Sequence, residues 1–234
     1  MNSFQTDENS QSILLSSQNQ QVMMEWEKPY MEASIDFLNP KGDVLEIGFG
    51  LAYSASQIMK HQPKSYTVIE CDPVVIQKAK EKFKEWAKDY PNTSTKIVEG
   101  RWQDRLHSLG EFDEIYFDDF PLEIEEKTPD LSKILSTKRL NLFLDFCIQG
   151  HTRVGSKISC YLNGNYKLGF SSDTNPFVKV SYKSMDIDIP EICAYRDLKE
   201  QKCLIPLIEK VKEYNFEVAN QEAMNEIMLK LRKD

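Results

Sequence analysis

The sequence predicts an α/β fold in which a central, mostly parallel sheet of seven strands carries helices on both faces and ends in an antiparallel C-terminal strand. Two observations predict it. Over the first two thirds of the chain, short apolar runs typical of buried strands alternate with longer segments of helical periodicity. In the last third, two apolar-periodic runs, Val178–Ile189 and Cys203–Val211, follow one another without a full helical pattern between them, which indicates an antiparallel finish.

The predicted elements follow one another as strand–helix units. A run of helical spacing extends from Val22 to Leu38, and Pro40-Lys41-Gly42 ends it. Five further strands are expected, at Asp43–Gly48, Ser65–Glu70, Lys96–Glu99, Phe112–Phe117 and Lys157–Leu162. Three further helices are expected, at Ala52–Lys60, Pro73–Asp89 and Lys138–Ile148.

The chain of 234 residues is long enough for one α/β domain and too short for two ordinary ones. That single domain is expected to span residues 21–234. Residues 1–20 are rich in Ser, Gln and Asn and contain one apolar cluster, Ile13-Leu14-Leu15, so they predict a flexible N-terminal segment. Whether this segment is a lid or a tail stays open.

Composition excludes several classes of partner. The net charge is −8 and the basic residues are scattered, which argues against nucleic acid. The apolar runs are far shorter than the ~20 residues that cross a bilayer, and residues 1–20 lack a signal-peptide pattern, so we expect no membrane partner and a cytoplasmic location. The five cysteines form no CxxC pair, which predicts reduced thiols and no metal site.

A glycine turn directly follows the first predicted strand of the domain. Gly48-Phe49-Gly50 lies where open α/β sheets bind adenine nucleosides, but Tyr53 occupies the position of the third glycine of a dinucleotide motif. Glu70 ends the next strand and is suited to accept hydrogen bonds from ribose hydroxyls. The combination predicts an adenosine-containing ligand without a diphosphate.

Two aspartates follow the strand expected at Phe112–Phe117. In a doubly wound sheet this strand ends beside the first, so Asp118 and Asp119 would face the reacting group. Together with Glu46 in the first strand, the glycine turn and Glu70 resemble the cofactor half of class I methyltransferases. Members that methylate amide or base nitrogens commonly carry Asn/Asp-Pro-Pro-Tyr/Phe at this place, so consecutive carboxylates favour a cationic acceptor. A solvated loop or a helix cap is the alternative, and the position at the strand end favours function for Asp118.

Several motifs together resemble guanidinoacetate N-methyltransferase and its relative, protein-arginine δ-N-methyltransferase, which are class I methyltransferases with a Rossmann-like fold. The resemblance extends from about Val22 to Ile208. It is carried by Val22-Met23-Met24-Glu25-Trp26-Glu27-Lys28-Pro29-Tyr30-Met31, Leu45-Glu46-Ile47-Gly48-Phe49-Gly50, Ile69-Glu70-Cys71, Glu99-Gly100-Arg101-Trp102-Gln103-Asp104 and Ile115-Tyr116-Phe117-Asp118.

The resemblance implies S-adenosylmethionine as methyl donor, S-adenosylhomocysteine as product, and a catalytic clamp of Glu27 and Asp118 around a guanidino group. A buried salt bridge from Glu27 to Lys28 or to another basic group is the alternative role for this acid. The implied substrate-binding residues are Glu27, Asp118, Asn163 and Gly164. The implied cofactor-binding residues are Met23, Met31, Gly48, Phe49, Gly50, Leu51, Ala52, Glu70, Cys71, Trp102, Gln103 and Asp118.

One departure bears on the acceptor. Where guanidinoacetate enzymes continue Asn-Leu-Thr-Ser-Trp, this chain reads Tyr161-Leu162-Asn163-Gly164, closer to the arginine δ enzymes. The first hypothesis is therefore an N-methyltransferase acting on a small guanidino compound that resembles guanidinoacetate or arginine. A protein-arginine methyltransferase is the second, and a non-catalytic S-adenosylmethionine-binding or spermidine-synthase-like relative is the third. The oligomeric state is not predicted.

Overall fold

The structure is a computed structural model that describes residues 2–7, 10–17, 19–120, 129–162, 164–165, 167–169, 171, 175–190 and 201–213, with backbone only for 129–138. The strands are β1 Ser3–Thr6, β2 Ser12–Leu15, β3 Gln21–Met24, β4 Asp43–Ile47, β5 Ser65–Glu70, β6 Ser94–Glu99, β7 Phe112–Phe117, β8 Thr152–Cys160, β9 Val178–Asp186 and β10 Lys202–Lys210. The helices are α1 Lys28–Leu38, α2 Tyr53–Lys60, α3 Pro73–Asp89, α4 Trp102–Arg105 and α5 Pro129–Gly150, with 3-10 turns at Glu25–Glu27 and Leu106–Ser108.

The predicted seven-stranded sheet is confirmed. Its strand order is β6-β5-β4-β7-β8-β10-β9, and the pairs from β6 through β8 are parallel. Strand β10 runs antiparallel to both β8 and β9, which gives the expected C-terminal finish. The chain order reverses at β4, between β5 and β7, and the crevice at the carboxyl ends of these strands is where ligands bind in open α/β sheets.

Two apolar layers enclose the central strands because successive strand side chains point to opposite faces. Val44 of β4 packs with Tyr66 and Tyr116 beneath α1, α2 and α3. Leu45 and Ile47 of the same strand pack on the other face against α4 and α5. Helices therefore cover both faces, as expected. Within the described residues, no helix is long and apolar enough to cross a membrane.

The N-terminal residues form a separate antiparallel sheet in the order β1-β2-β3. Its apolar cluster is folded into the main core, where Leu14 is only 1% exposed. The sequence pattern predicted no strand in residues 1–20, and the helical pattern from Val22 was wrong for residues 22–24, which belong to β3. These strands are stabilised by pairing with one another and by burial against the core, which local composition does not indicate. Helix α1 begins instead at Lys28, with Pro29 in its first turn.

Other boundaries differ by several residues. Helix α5 begins at Pro129, earlier than the predicted Lys138. Strand β8 begins at Thr152 and ends at Cys160, earlier at both ends than the predicted Lys157–Leu162. These differences leave the carboxyl ends of β4, β5, β7 and β8 at one edge of the sheet, and the predicted residues Gly48, Glu70 and Asp118 lie at those ends.

Candidate functional site

The glycine turn after β4 is tightly packed against two neighbouring segments. Gly48 has φ +82°, and a side-chain carbon there would lie 2.2 Å from the carbonyl oxygen of Asp118. Gly50 has φ +48°, and its missing side chain leaves space for the Met23 methyl group, which would lie 2.5 Å from an added carbon. A larger residue at either position would therefore close the crevice between the turn, β3 and the end of β7.

Met23 and Met31 both lie in the buried layer beneath the turn. The Met23 thioether sulfur accepts a hydrogen bond from the Leu51 backbone N–H at 3.0 Å. Met31 is buried on α1. Ala52 has φ +69° at the beginning of α2, an uncommon conformation for a residue with a side chain, so packing holds the turn in one shape.

Glu70 is tied to the glycine turn from the end of β5. Its Oε2 accepts a hydrogen bond from Phe49 N at 2.9 Å, and its Oε1 accepts from Cys71 N at 2.7 Å and from Asp72 N at 2.9 Å. Burial raises the pKa of the Glu70 carboxyl, while these backbone donors oppose the rise. The exposed Cys71 has its thiol pKa raised to about 11 by partial burial and by the Glu70 charge.

The two consecutive aspartates have different surroundings. Asp119 Oδ2 accepts a hydrogen bond from Trp102 Nε1 at 2.9 Å and lies 3.1 Å from the Nε of the buried Arg139. Trp102 is itself buried, edge-on against Phe117 and Phe143. Asp119 is therefore part of a structural network between α4 and α5.

Asp118 instead lies among acids. Its backbone N–H donates to Ile47 O at 3.0 Å, which fixes it beside the glycine turn. Loss of solvent raises the pKa of the Asp118 carboxyl well above its usual range, and the charge of Glu27 is the next largest cause. Three further acids raise this pKa in the same direction: Glu46, Asp119 and Glu70.

Glu27 ends the 3-10 turn that precedes α1 and is 3% exposed. Its Oε2 accepts a hydrogen bond from Met24 N at 2.7 Å, and its Oε1 accepts one from the Tyr161 hydroxyl at 2.5 Å. The Lys28 ammonium lies over the Tyr53 ring, 5.9 Å from its centre. The structure thus brings Glu27 and Asp118 together, although 91 positions separate them in the sequence.

Two residues of this region gain importance from the structure. In the sequence Tyr161 is only part of a departure from the family, whereas in the structure its hydroxyl contacts Glu27. Glu46 lies on β4 beneath the site, fully buried, and accepts a hydrogen bond from the Tyr66 hydroxyl. Burial, together with the Glu70 charge, raises the pKa of the Glu46 carboxyl to about 8. The signal available for Tyr161 was its place near the carboxyl end of the predicted strand Lys157–Leu162.

The remaining predicted residues are less closely joined to this centre. Gln103 is exposed on α4, beside the buried Trp102. Gly164 is buried, has φ +144°, and its carbonyl oxygen accepts from Leu204 N at 3.2 Å. Asn163 lies outside the described residues.

Comparison with known proteins identifies the family. A family model described as guanidinoacetate N-methyltransferase matches residues 3–145. The chain belongs to this family. This confirms the resemblance predicted from the motifs, to a family of S-adenosylmethionine-dependent methyltransferases.

Curated relatives give the same assignment over part of the chain. Protein arginine N-methyltransferase 2 of Yarrowia lipolytica is 33% identical over 126 residues, which cover 49% of this chain and 25% of the relative. The Saccharomyces cerevisiae protein of that name is 37% identical over 110 residues, covering 42% and 26% respectively. The chain thus spans about a quarter of the length of these relatives.

Solved structures support the fold. Spermidine synthase from Thermotoga maritima has a TM-score of 0.51 and 18% identity, over 92% of this chain and 81% of that protein. An O-methyltransferase from Bacillus cereus has a TM-score of 0.50 and 13% identity, over 79% of this chain and 80% of that protein. At these identities the likeness shows the Rossmann-like fold alone.

Proposed function

We propose that this methyltransferase acts on a nitrogen of a guanidino group carried by a small molecule that resembles guanidinoacetate or arginine. The observation that carries the proposal is the meeting of the buried Glu27 with the partly buried Asp118 in an acidic cluster at the carboxyl ends of β4 and β7. A buried group of acids is costly unless a cation compensates it, and a guanidinium offers a planar set of N–H donors that pairs with carboxylates.

The cofactor half of the site fits S-adenosylmethionine. The turn from Gly48 to Ala52 would accommodate the methionine moiety, because side chains at the glycines would fill the space beside Asp118 and Met23. Glu70 would accept hydrogen bonds from the ribose, and Met31, Cys71, Trp102 and Gln103 are proposed to complete the pocket. When bound, S-adenosylmethionine supplies an electrophilic methyl group on a sulfonium.

The clamp has to provide a nucleophilic nitrogen. A guanidinium lacks an available lone pair until a proton leaves or its charge is localised, and carboxylates bonded to the other N–H groups favour both changes. The acceptor nitrogen then forms a bond to the methyl carbon as the carbon–sulfur bond breaks and its electron pair stays on sulfur. The proton lost by nitrogen is taken up by one of the two carboxylates, Asp118 or Glu27.

The raised pKa of Asp118 predicts how acceptor binding depends on pH. Burial and the neighbouring acids favour the protonated form of Asp118, and a guanidinium bound beside it favours the ionised form. Binding of the acceptor should therefore release a proton and become stronger as pH rises towards the Asp118 pKa.

The test is methyl transfer from labelled S-adenosylmethionine to guanidinoacetate, arginine, other ω-guanidino acids, glycine and a protein extract. The variant Asp118→Asn should lose turnover at least about a hundredfold, because the acceptor loses its charged partner, while cofactor affinity is kept. Asp89→Asn, at an exposed position of α3, is the matched control. Full activity of Asp118→Asn on a labelled guanidine would contradict the proposed clamp.

Protein arginine is the second candidate acceptor, and the relatives named protein arginine N-methyltransferase 2 favour it. Label in the protein extract, with none in the small guanidines, would support this candidate over the first. Cofactor binding without label in any acceptor would instead support a non-catalytic relative.

A further inference from the structure

Tyr161 connects the two halves of the acidic clamp. It is the first residue after β8, and its backbone N–H donates to Phe117 O at 3.0 Å, directly before Asp118. Its hydroxyl donates to Glu27 Oε1 at 2.5 Å. The edge-to-face contact with Tyr30, with ring centroids 5.2 Å apart, holds the phenol ring in place. One residue therefore sets the position of Glu27 relative to the end of β7.

The hydroxyl also completes a pair of donors on Glu27. Met24 N donates to one carboxylate oxygen at 2.7 Å, and the phenol donates to the other. Donors on both oxygens fix the plane of the carboxylate, and hydrogen bonds of this kind favour its ionised form. Asp118 lies beside it and, among the residues that the structure describes, acids are the main charges acting on it.

Other ionisable groups act on this pair from the surrounding elements. Those that the structure describes include Glu46 of β4, Glu70 of β5, Tyr116 of β7, Asp119 after β7, Cys160 of β8 and Tyr53 of α2, and Arg139 of α5 pairs with Asp119. The charge of Glu27 raises the pKa of the Asp118 carboxyl, so ionisation of one acid disfavours ionisation of the other. The hydrogen bonds that Glu27 accepts favour its own ionised form.

We propose that Tyr161 is a positioning residue for the acceptor: by donating to Glu27, its hydroxyl fixes the orientation of that carboxylate and favours its ionised form. Glu27 then receives the incoming guanidinium in a preformed orientation, and Asp118 supplies the second carboxyl group of the clamp. This inference rests on the proposed guanidino acceptor and gives Tyr161 a role in holding it.

The test compares Tyr161→Phe with the wild-type enzyme, using guanidinoacetate and arginine as acceptors. Phenylalanine keeps the ring that contacts Tyr30 and removes only the hydroxyl. Because a hydrogen bond to a charged group contributes more than a neutral one, its loss should lower kcat/KM by about tenfold or more. The dissociation constant of S-adenosylmethionine should stay unchanged. Tyr90→Phe, at the end of α3 and remote from the clamp, is the matched control.

The pH profile separates positioning from a general loss of packing. Loss of the donor raises the pKa of the Glu27 carboxyl, so the acidic limb of the kcat/KM profile should move to higher pH by about one unit. A tenfold fall with no shift of this limb, or an unchanged kcat/KM, overturns the proposal. Loss of the cooperative unfolding transition also overturns it, because Tyr161 would then serve the fold.

The two proposals fail in distinguishable ways. A wild-type enzyme that methylates neither guanidine contradicts the proposed function, and with it the inference, before any variant is measured. A wild-type enzyme active on one of them, with Tyr161→Phe equally active and an unmoved acidic limb, contradicts the role of Tyr161 alone.

Discussion

In the wild-type protein the unfolding free energy should fall as pH rises, because of Glu46, and the variant Glu46→Gln should lack this fall. Glu46 is fully buried, and its carboxyl pKa is raised to about 8, chiefly by burial. The ordinary value is 4.5. A carboxyl whose pKa is raised on folding stabilises the native state fully below the unfolded pKa. That stability is lost as pH rises through the range up to the folded pKa.

The size of the effect follows from these two values. Each pKa unit corresponds to about 1.4 kcal/mol, so the linkage between about pH 5 and about pH 8 amounts to roughly 3 kcal/mol of lost unfolding free energy. Glutamine does not titrate, and it therefore lacks this loss. The difference in unfolding free energy between variant and wild type should change by roughly 3 kcal/mol in favour of the variant over that interval.

Urea denaturation of the cofactor-free protein measures this difference at each pH. All three tryptophans, Trp26, Trp86 and Trp102, are buried, so their fluorescence reports unfolding. Glu111→Gln is the matched control because Glu111 is exposed before β7. A difference between Glu46→Gln and wild type that stays constant within about 0.5 kcal/mol from about pH 5 to about pH 8 would refute the reasoning.

Two further variants test the glycine turn and the aspartate network. Gly50→Ala should weaken S-adenosylmethionine binding about tenfold, because alanine is strained at φ +48° and displaces Met23, whereas Gly110→Ala should leave calorimetric affinity unchanged. Asp119→Ala should lower the unfolding free energy by roughly 2 kcal/mol, because it removes the acid beside the buried Arg139. A urea midpoint equal to that of wild type would contradict the second expectation.

Much of the fold could be predicted from the sequence because its central strands are continuous apolar runs bounded by turn residues. Val44–Ile47 and the glycine turn after it are local signals, and local signals identify strands and βα turns well. The N-terminal sheet could not be predicted in this way. Its strands are four residues long, and β1 is largely polar, so its order depends on pairing with distant residues.

In the candidate site too, local sequence signals predict some residues, whereas others are identified only by contacts that the fold creates. Gly48, Gly50 and Glu70 lie beside the strand ends that the sequence predicted, and the structure joins Glu70 to Phe49. Tyr161 acquires its contact with Glu27 only through the fold, since 134 positions separate the two residues. No periodicity reports a hydrogen bond between segments so far apart, and a single sequence offers no second signal for it.

Asp118 and Asp119 illustrate why chemistry at this edge needs the structure. The two residues are identical in type and adjacent, so the sequence separates them only by their distance from the strand end. In the structure Asp119 has the basic Arg139 and the Trp102 indole as partners, whereas the charges acting most strongly on Asp118 are acidic. Removal of the Asp119 carboxylate should therefore destabilise the fold, whereas Asp118→Asn should stabilise the cofactor-free protein near neutral pH. A residue that lowers the stability of the fold at its position is typical of a binding or catalytic site. The acidic surroundings of Asp118 favour a cation as its ligand.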